Sequence, residues 1–211
     1  MVPAHLEQAV EEAVAWLRRG GVVAYPTDTL YGLGADVFSP RAVARVFQVK
    51  GRPEGMALPV LLADPADLEG VAAQVPEAAR RLARRLWPGP LTLVVRRHPR
   101  VPAAVTGGRD TVAVRVPDHP VPRALCRRLG SPITGTSANR SGGPDPVTAE
   151  DVRRQLGDVV DYIIDGGPAP AGRPSTIVDV SGAAPRVLRL GAAPLAALEE
   201  ALGAPLEVAA P

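Results

Sequence analysis

Short runs of β-branched and aliphatic residues alternate with amphipathic helical patterns along the whole of this 211-residue chain, and that alternation constrains the fold more than any other feature. It specifies an α/β domain. The expected strands are 21–26 (GVVAYP), 58–63 (LPVLLA), 91–96 (LTLVVR), 111–117 (TVAVRVP), 131–135 (SPITG), 161–167 (DYIIDGG), 175–180 (STIVDV) and 186–191 (RVLRLG). Helices are expected at 4–19, 40–49, 76–87, 120–129 and 148–156. Ser39 followed by Pro40 reads as an N-cap and first helical residue, and Thr148 with Asp151 as a capping box. No internal repeat and no interdomain linker interrupt the pattern. The expected organisation is one domain over 4–195, then an Ala/Leu helix and a frayed tail over 196–211.

The composition, 46% hydrophobic and 22% charged, is that of a globular protein. The pI near 9.1 exaggerates a formal charge of only +2, since few groups titrate between pH 7 and 9. One cysteine, Cys126, excludes an intrachain disulfide and a cysteine-based metal cluster. The three histidines are scattered, so no metal site is expected. There is no secretory h-region and no run of about eighteen apolar residues, and the expected location is cytoplasmic, away from membranes.

Three polar, Gly/Pro-punctuated loops flank the strands, where an open α/β sheet places its ligands. The segment 25–36 (YPTDTLYGLGAD) presents Thr27 and Thr29 from a tight turn whose hydroxyls and carboxylate equally suit the capping of backbone donors. The segment 50–53 (KGRP) ends a helix with Lys50 and Arg52. Both suit an oligophosphate, and both also complement a helix C-terminus. Lys50 is the only lysine against 23 arginines (24 cationic residues less one), which favours the ligand role, because arginine would serve the helix dipole equally well. The segment 135–146 (GTSANRSGGPDP) offers Thr136, Ser137, Asn139 and Ser141 to phosphate oxygens, or forms a polar surface loop. No Walker A loop occurs. Arg115 lies among strand valines, and Ser175 and Thr176 open a strand.

The ordered set PTDTLYGLG, KGRP, WPGPLTLV, TVAVRVPDHP, TSANRSG, PSTIVD and VLRLG resembles the YrdC/Sua5 family of threonylcarbamoyl-AMP synthases over about residues 10–195, in its short form without a second Sua5 domain. The resemblance implies a YrdC-like twisted mixed sheet with flanking helices around a basic concave cavity. It also implies a reaction in which L-threonine, bicarbonate and ATP, with Mg2+ chelated by its phosphates, give L-threonylcarbamoyladenylate and pyrophosphate. That product is the intermediate used by downstream transferase machinery for t6A37 modification of tRNA.

By this resemblance Lys50 and Arg52 grip the phosphates and are the catalytic pair. Ser137, Asn139, Thr111 and Arg189 complete the ATP site, with Met56 and Asp145 as further contacts. Thr29, Arg115 and Ser175 hold threonine, Arg115 as a two-pronged partner of its carboxylate, with Gly135 and Leu61 beside it. The chain departs from the family at Met56, Ala57 and Leu58, where many members read KPL or NPL, at Leu61, where histidine is common, and at Asp145, where a small hydroxyl residue is frequent. Lys50 is expected to stay lysine because a compact ammonium follows a triphosphate oxygen as charge migrates to pyrophosphate. The alternative from a different class is a non-catalytic module binding tRNA or double-stranded RNA. With two Trp, three Tyr and two Phe in the chain, few platforms exist for stacking single-stranded bases.

Overall fold

The computed structural model describes residues 1–53 and 55–209. In chain order the elements are α1 (Glu7–Arg18), β1 (Val23–Tyr25), β2 (Gly32–Gly34), α2 (Pro40–Lys50), β3 (Val60–Leu61), α3 (Glu77–Leu86), β4 (Leu91–Arg96), α4 (Ala103–Thr106), β5 (Thr111–Arg115), α5 (Pro120–Leu129), β6 (Ile133–Thr134), β7 (Thr136–Ser137), α6 (Ala149–Leu156), β8 (Tyr162–Ile163), β9 (Thr176–Asp179), β10 (Arg186–Arg189), α7 (Leu195–Leu202) and β11 (Glu207–Val208). The alternation of periods thus delivers the mixed α/β fold it specifies.

The strands form two mixed sheets, a four-stranded one ordered β7-β2-β1-β8 and a seven-stranded one ordered β11-β10-β9-β4-β5-β3-β6. Gly135 is the single residue between β6 of the large sheet and β7 of the small one, so the chain steps from sheet to sheet there. A Cβ at Gly135 would lie 2.5 Å from Leu61 Cγ. The crossing therefore needs a residue without a side chain. In the small sheet the Tyr25 ring takes the space that side chains at 32 and 34 would fill, and its hydroxyl donates to Thr134 O at 2.7 Å. That packing explains the two glycines of YGLG and ties the sheets together a second time.

The helix starts follow the expected chemistry. Ser39 accepts from Ala42 N, Pro40 is the first residue of α2, and Gly51 ends it in the left-handed region at φ 61°. Thr148 and Asp151 form the reciprocal capping box of α6. One hydrophobic cluster fills the space between the sheets and α2, α3 and α7, with Leu33, Val60, Leu62, Leu82, Leu93 and Leu198 at its centre. A second lies where α1 and α5 cover Tyr25, Leu61 and Ile133.

Some expectations need correction. β2 and β7 fall inside segments read only as polar loops, because two- and three-residue strands carry no detectable alternation. The expected strand over 161–167 is confined to Tyr162–Ile163. The tail is not frayed throughout: Glu207 and Val208 pair in parallel with Arg186 and Val187, giving the open edge of β10 a partner. Its last two residues lie outside the described residues.

Candidate active site

A cavity of about 200 Å3 opens at the junction of the two sheets. It is smaller than the roughly 300 Å3 at which drug-sized pockets begin, a size that suits a small ligand. All five residues expected at the amino-acid end line it: Thr29, Leu61, Arg115, Gly135 and Ser175. Ser137, Asp145 and Arg189 of the nucleotide set line it too.

Arg115 sits at the end of β5, opposite Leu61 in the parallel register with β3. Its side chain is only 8% exposed, and each of its three nitrogens is bonded. Nε donates to Gly89 O at 2.9 Å, Nη1 to Thr29 Oγ1 at 2.8 Å and Nη2 to Asp28 Oδ1 at 2.5 Å. A guanidinium has five N–H donors. One on each Nη is left over, which is the number a carboxylate takes from a fork. Burial pulls the Arg115 guanidinium below its usual value and Asp28 beside it pushes back.

The hydroxyls around this fork are also oriented. Thr27 Oγ1 donates to Leu30 O at 2.7 Å, so in its 3.0 Å contact with Thr29 the proton comes from Thr29 or is free for a ligand. Ser175 Oγ lies 2.8 Å from Thr92 Oγ1, and the Ser175 carbonyl accepts from Arg189 Nη2 at 2.8 Å. Arg189, expected beside the nucleotide, is thereby tied to Ser175, expected beside the amino acid. Burial lowers its pKa, while Asp145 raises it.

The phosphate end differs from what the loop chemistry suggests. The Ser137 hydroxyl donates to Asn139 Oδ1 at 2.7 Å, and Asn139 Nδ2 donates to Gly143 O and Pro144 O at 2.8 and 3.3 Å. Lys50 Nζ, from the last residue of α2, donates to Ser137 O, Asn139 O and Asn139 Oδ1. These side-chain donors are satisfied within the turn, mostly by its main-chain carbonyls. Arg52 is the exception: its Nε and Nη2 are buried without a partner among the described residues, and its guanidinium lies 5.2 Å from the Phe47 ring centre. The residue as a whole is only partly buried, but two buried nitrogens without partners are costly unless a ligand satisfies them.

Five residues of the expected nucleotide set, Lys50, Arg52, Met56, Thr111 and Asn139, do not line this cavity. Met56 is 48% exposed, in a segment that runs over the surface. Thr111 is at the other end of β5, on the same sheet face as Arg115 but about 13 Å along the strand. Only a ligand extended along β5 spans both. Lys50 and Asn139 lie behind Ser137 and do not line the cavity.

Sequence reasoning missed Asp28 and Thr92 as partners of Arg115 and Ser175, and Gln155, whose Nε2 braces Pro144 O at 2.9 Å. Asp28 carried a signal, because a carboxylate between two cavity threonines suits an arginine partner. Gln155 carried none. A larger cavity of about 550 Å3, lined by Leu62, Asp64, Arg100 and Cys126 among others, contains none of the expected residues. Asp64 is bonded there to Arg123 and Arg127. The expected site residues gather in the smaller cavity instead. Among the described residues no three His, Cys, Asp or Glu converge to hold a metal.

The family model for Sua5, YciO and YrdC, described as "Telomere recombination", matches residues 15–191. A threonylcarbamoyl-AMP synthase of Pyrococcus abyssi is 42% identical over 197 residues, 93% of this chain but 58% of the relative. A threonylcarbamoyl-AMP synthase of Thiobacillus denitrificans is 44% identical over 168 residues, 79% of this chain and 88% of the relative. The crystal structure of P. abyssi Sua5 complexed with L-threonine superposes with a TM-score of 0.93 at 41% identity, covering 96% of this chain and 59% of that one. The chain thus spans under two thirds of the length of the Pyrococcus protein.

Proposed function

The chain belongs to the Sua5/YciO/YrdC family, and from that premise we propose that it is an L-threonylcarbamoyladenylate synthase acting on L-threonine, bicarbonate and ATP. The observation that carries the reading is the Arg115 fork, buried beside Thr29 with two donors unspent, in a cavity it shares with Leu61, Gly135, Ser175 and Arg189. Arg115 binds the amino-acid carboxylate, and the hydroxyls of Thr29 and Ser175 bind its side-chain oxygen.

Two steps follow. The deprotonated α-amine of threonine attacks the carbon of bicarbonate, forming a C–N bond and releasing the elements of water to leave a carbamate. A carbamate oxygen then attacks the α-phosphorus of ATP, and the bond to the β-phosphate bridging oxygen breaks in line, so pyrophosphate leaves with that electron pair. The protein's part is positioning and charge neutralisation: Arg115 and Arg189 fix the threonine side of the attack, and Arg52 meets the phosphates.

Magnesium enters as part of the MgATP substrate and screens phosphate charge when bound. Asp145 is the carboxylate at the cavity, too few for a protein cage but suited to an outer contact with such a chelate. The product would feed t6A37 modification through a separate transferase, with tRNA as the eventual acceptor and the cytoplasm as the place of action. No helix among the described residues is long and apolar enough to cross a membrane.

The test is pyrophosphate release from MgATP with threonine and bicarbonate omitted in turn. Release is expected only when all three are present. Release that ignores either omission would exclude the synthase, and salt-sensitive RNA binding with no release at all would favour the binding-module alternative.

A further inference from the structure

Lys50 does not do what a lone lysine beside a phosphate site first suggests. An ammonium has three donors, and all three are used within the protein: Nζ reaches Ser137 O at 2.5 Å, Asn139 O at 2.8 Å and Asn139 Oδ1 at 3.0 Å. The main chain adds a fourth tie, Ser141 N donating to Lys50 O at 2.9 Å. Asn139 carries the connection on to Gly143 and Pro144, and Gln155 of α6 holds Pro144 from the far side. A continuous series of hydrogen bonds therefore runs from the end of α2 through the turn 137–144 to α6. Arg52, two residues on, has two buried nitrogens with no partner among the described residues.

We propose that Lys50 is a positioning residue that shapes the Ser137–Pro144 turn for the nucleotide, and that the direct phosphate contact belongs to Arg52. This assignment rests on the synthase reading for the identity of the ligand, but the hydrogen-bond series stands without it. It also gives the lone lysine a reason. Three oxygens converge on one nitrogen, a demand met by the tetrahedral ammonium and not by the planar guanidinium fork.

Because the chain has a single lysine, its Nζ can be followed without substitution. In ligand-free wild-type protein, amine-directed acylation with peptide mapping should find Lys50, 3% exposed, slow to react, and MgATP should leave that rate unchanged within about twofold. Rapid labelling that MgATP suppresses would overturn the proposal. Lys50→Met should speed amide hydrogen exchange at Ser141 and Gly143 by about tenfold or more with no nucleotide present, whereas Arg52→Ala should not. Unchanged exchange in Lys50→Met would also overturn it.

In turnover, Lys50→Met and Lys50→Arg should both raise KM for ATP about tenfold while KM for threonine stays within about twofold. A Lys50→Arg variant with wild-type KM for ATP would show that charge alone suffices and would remove the positioning role. If pyrophosphate is never released, the synthase reading fails, and the labelling and exchange results still decide the role of Lys50.

Discussion

The two buried cations at the ends of the site are held in opposite ways. Arg115 has a carboxylate partner, Asp28, as well as a hydroxyl and a carbonyl, and keeps two donors for a ligand. Lys50 has only neutral oxygens and keeps none. Burial and the charge of Arg52 lower its pKa to about 8, and Asp145 offsets only part of this. One cation is therefore charge-compensated and lines the cavity with donors to spare, while the other has no carboxylate bonded to it and faces the protein. A cation near an anion-binding site is not thereby an anion contact; its spare donors decide.

The contrast breaks most visibly if Arg115 loses its partner. With side chains 8% and 12% exposed, the Arg115–Asp28 pair is buried, and removing one member of such a pair costs about 3–5 kcal/mol because the other charge is stranded. Asp28→Ala should therefore lower unfolding stability by about that much in urea titrations. A loss under about 1 kcal/mol would place the pair among weak surface contacts and end the distinction.

The lysine side of the contrast has a pH signature. Lys50 holds its proton less tightly in the folded state, about 8 against an ordinary 10.5, so between those values the unfolded chain binds more protons than the native one. Stability must then rise with pH across that window, at up to about 1.36 kcal/mol per pH unit, and be flat in this respect below pH 8. Subtracting a Lys50→Met variant measured at the same pH values removes the contribution of other groups. A difference that stays constant from pH 7 to 10.5 would mean that Lys50 titrates normally and that its isolation from carboxylates has no consequence.

The same contrast explains what could be read in advance. The α/β class and the caps at Ser39 and Thr148 follow from local chemistry, and the set that the family resemblance implies for threonine, Thr29, Leu61, Arg115, Gly135 and Ser175, is gathered in one cavity. What was hidden depends on pairings distant in sequence. Nothing in KGRP says that its lysine turns toward residues 137 and 139, and nothing in the helix over 149–156 marks Gln155 as a brace. The saturation of Ser137 and Asn139 is likewise a property of the folded turn. Their residue types only say that they can donate, not that the donation is already made.

Replacing the fork by a point charge sharpens the comparison at the amino-acid end. Arg115→Lys keeps a cation beside Asp28 but cannot supply bonds to Gly89, Thr29, Asp28 and a carboxylate together. Threonine binding should weaken by about tenfold or more in calorimetric titrations, with ATP binding changed far less. Equal losses for both ligands would make Arg115 a structural residue.

The smallest effect tests how finely the same end reads its ligand. Leu61 packs against Gly135 and gives the cavity an apolar wall, while Thr29 and Ser175 supply hydroxyls whose other partners, Thr27 and Thr92, leave at least one proton free to turn. Serine lacks only threonine's methyl, worth about 1–3 kcal/mol against an apolar wall, so threonine should be preferred to serine by about 10- to 200-fold. Valine keeps the shape but replaces the hydroxyl with a methyl, which leaves the buried hydroxyls of the site facing carbon. That loss should exceed the loss of a methyl contact. The expected order of catalytic efficiencies in bicarbonate-dependent pyrophosphate release is threonine, serine, valine. If valine equals or exceeds serine, the pocket reads shape alone, and the roles given to Thr29 and Ser175 are wrong even where Arg115 still holds the carboxylate.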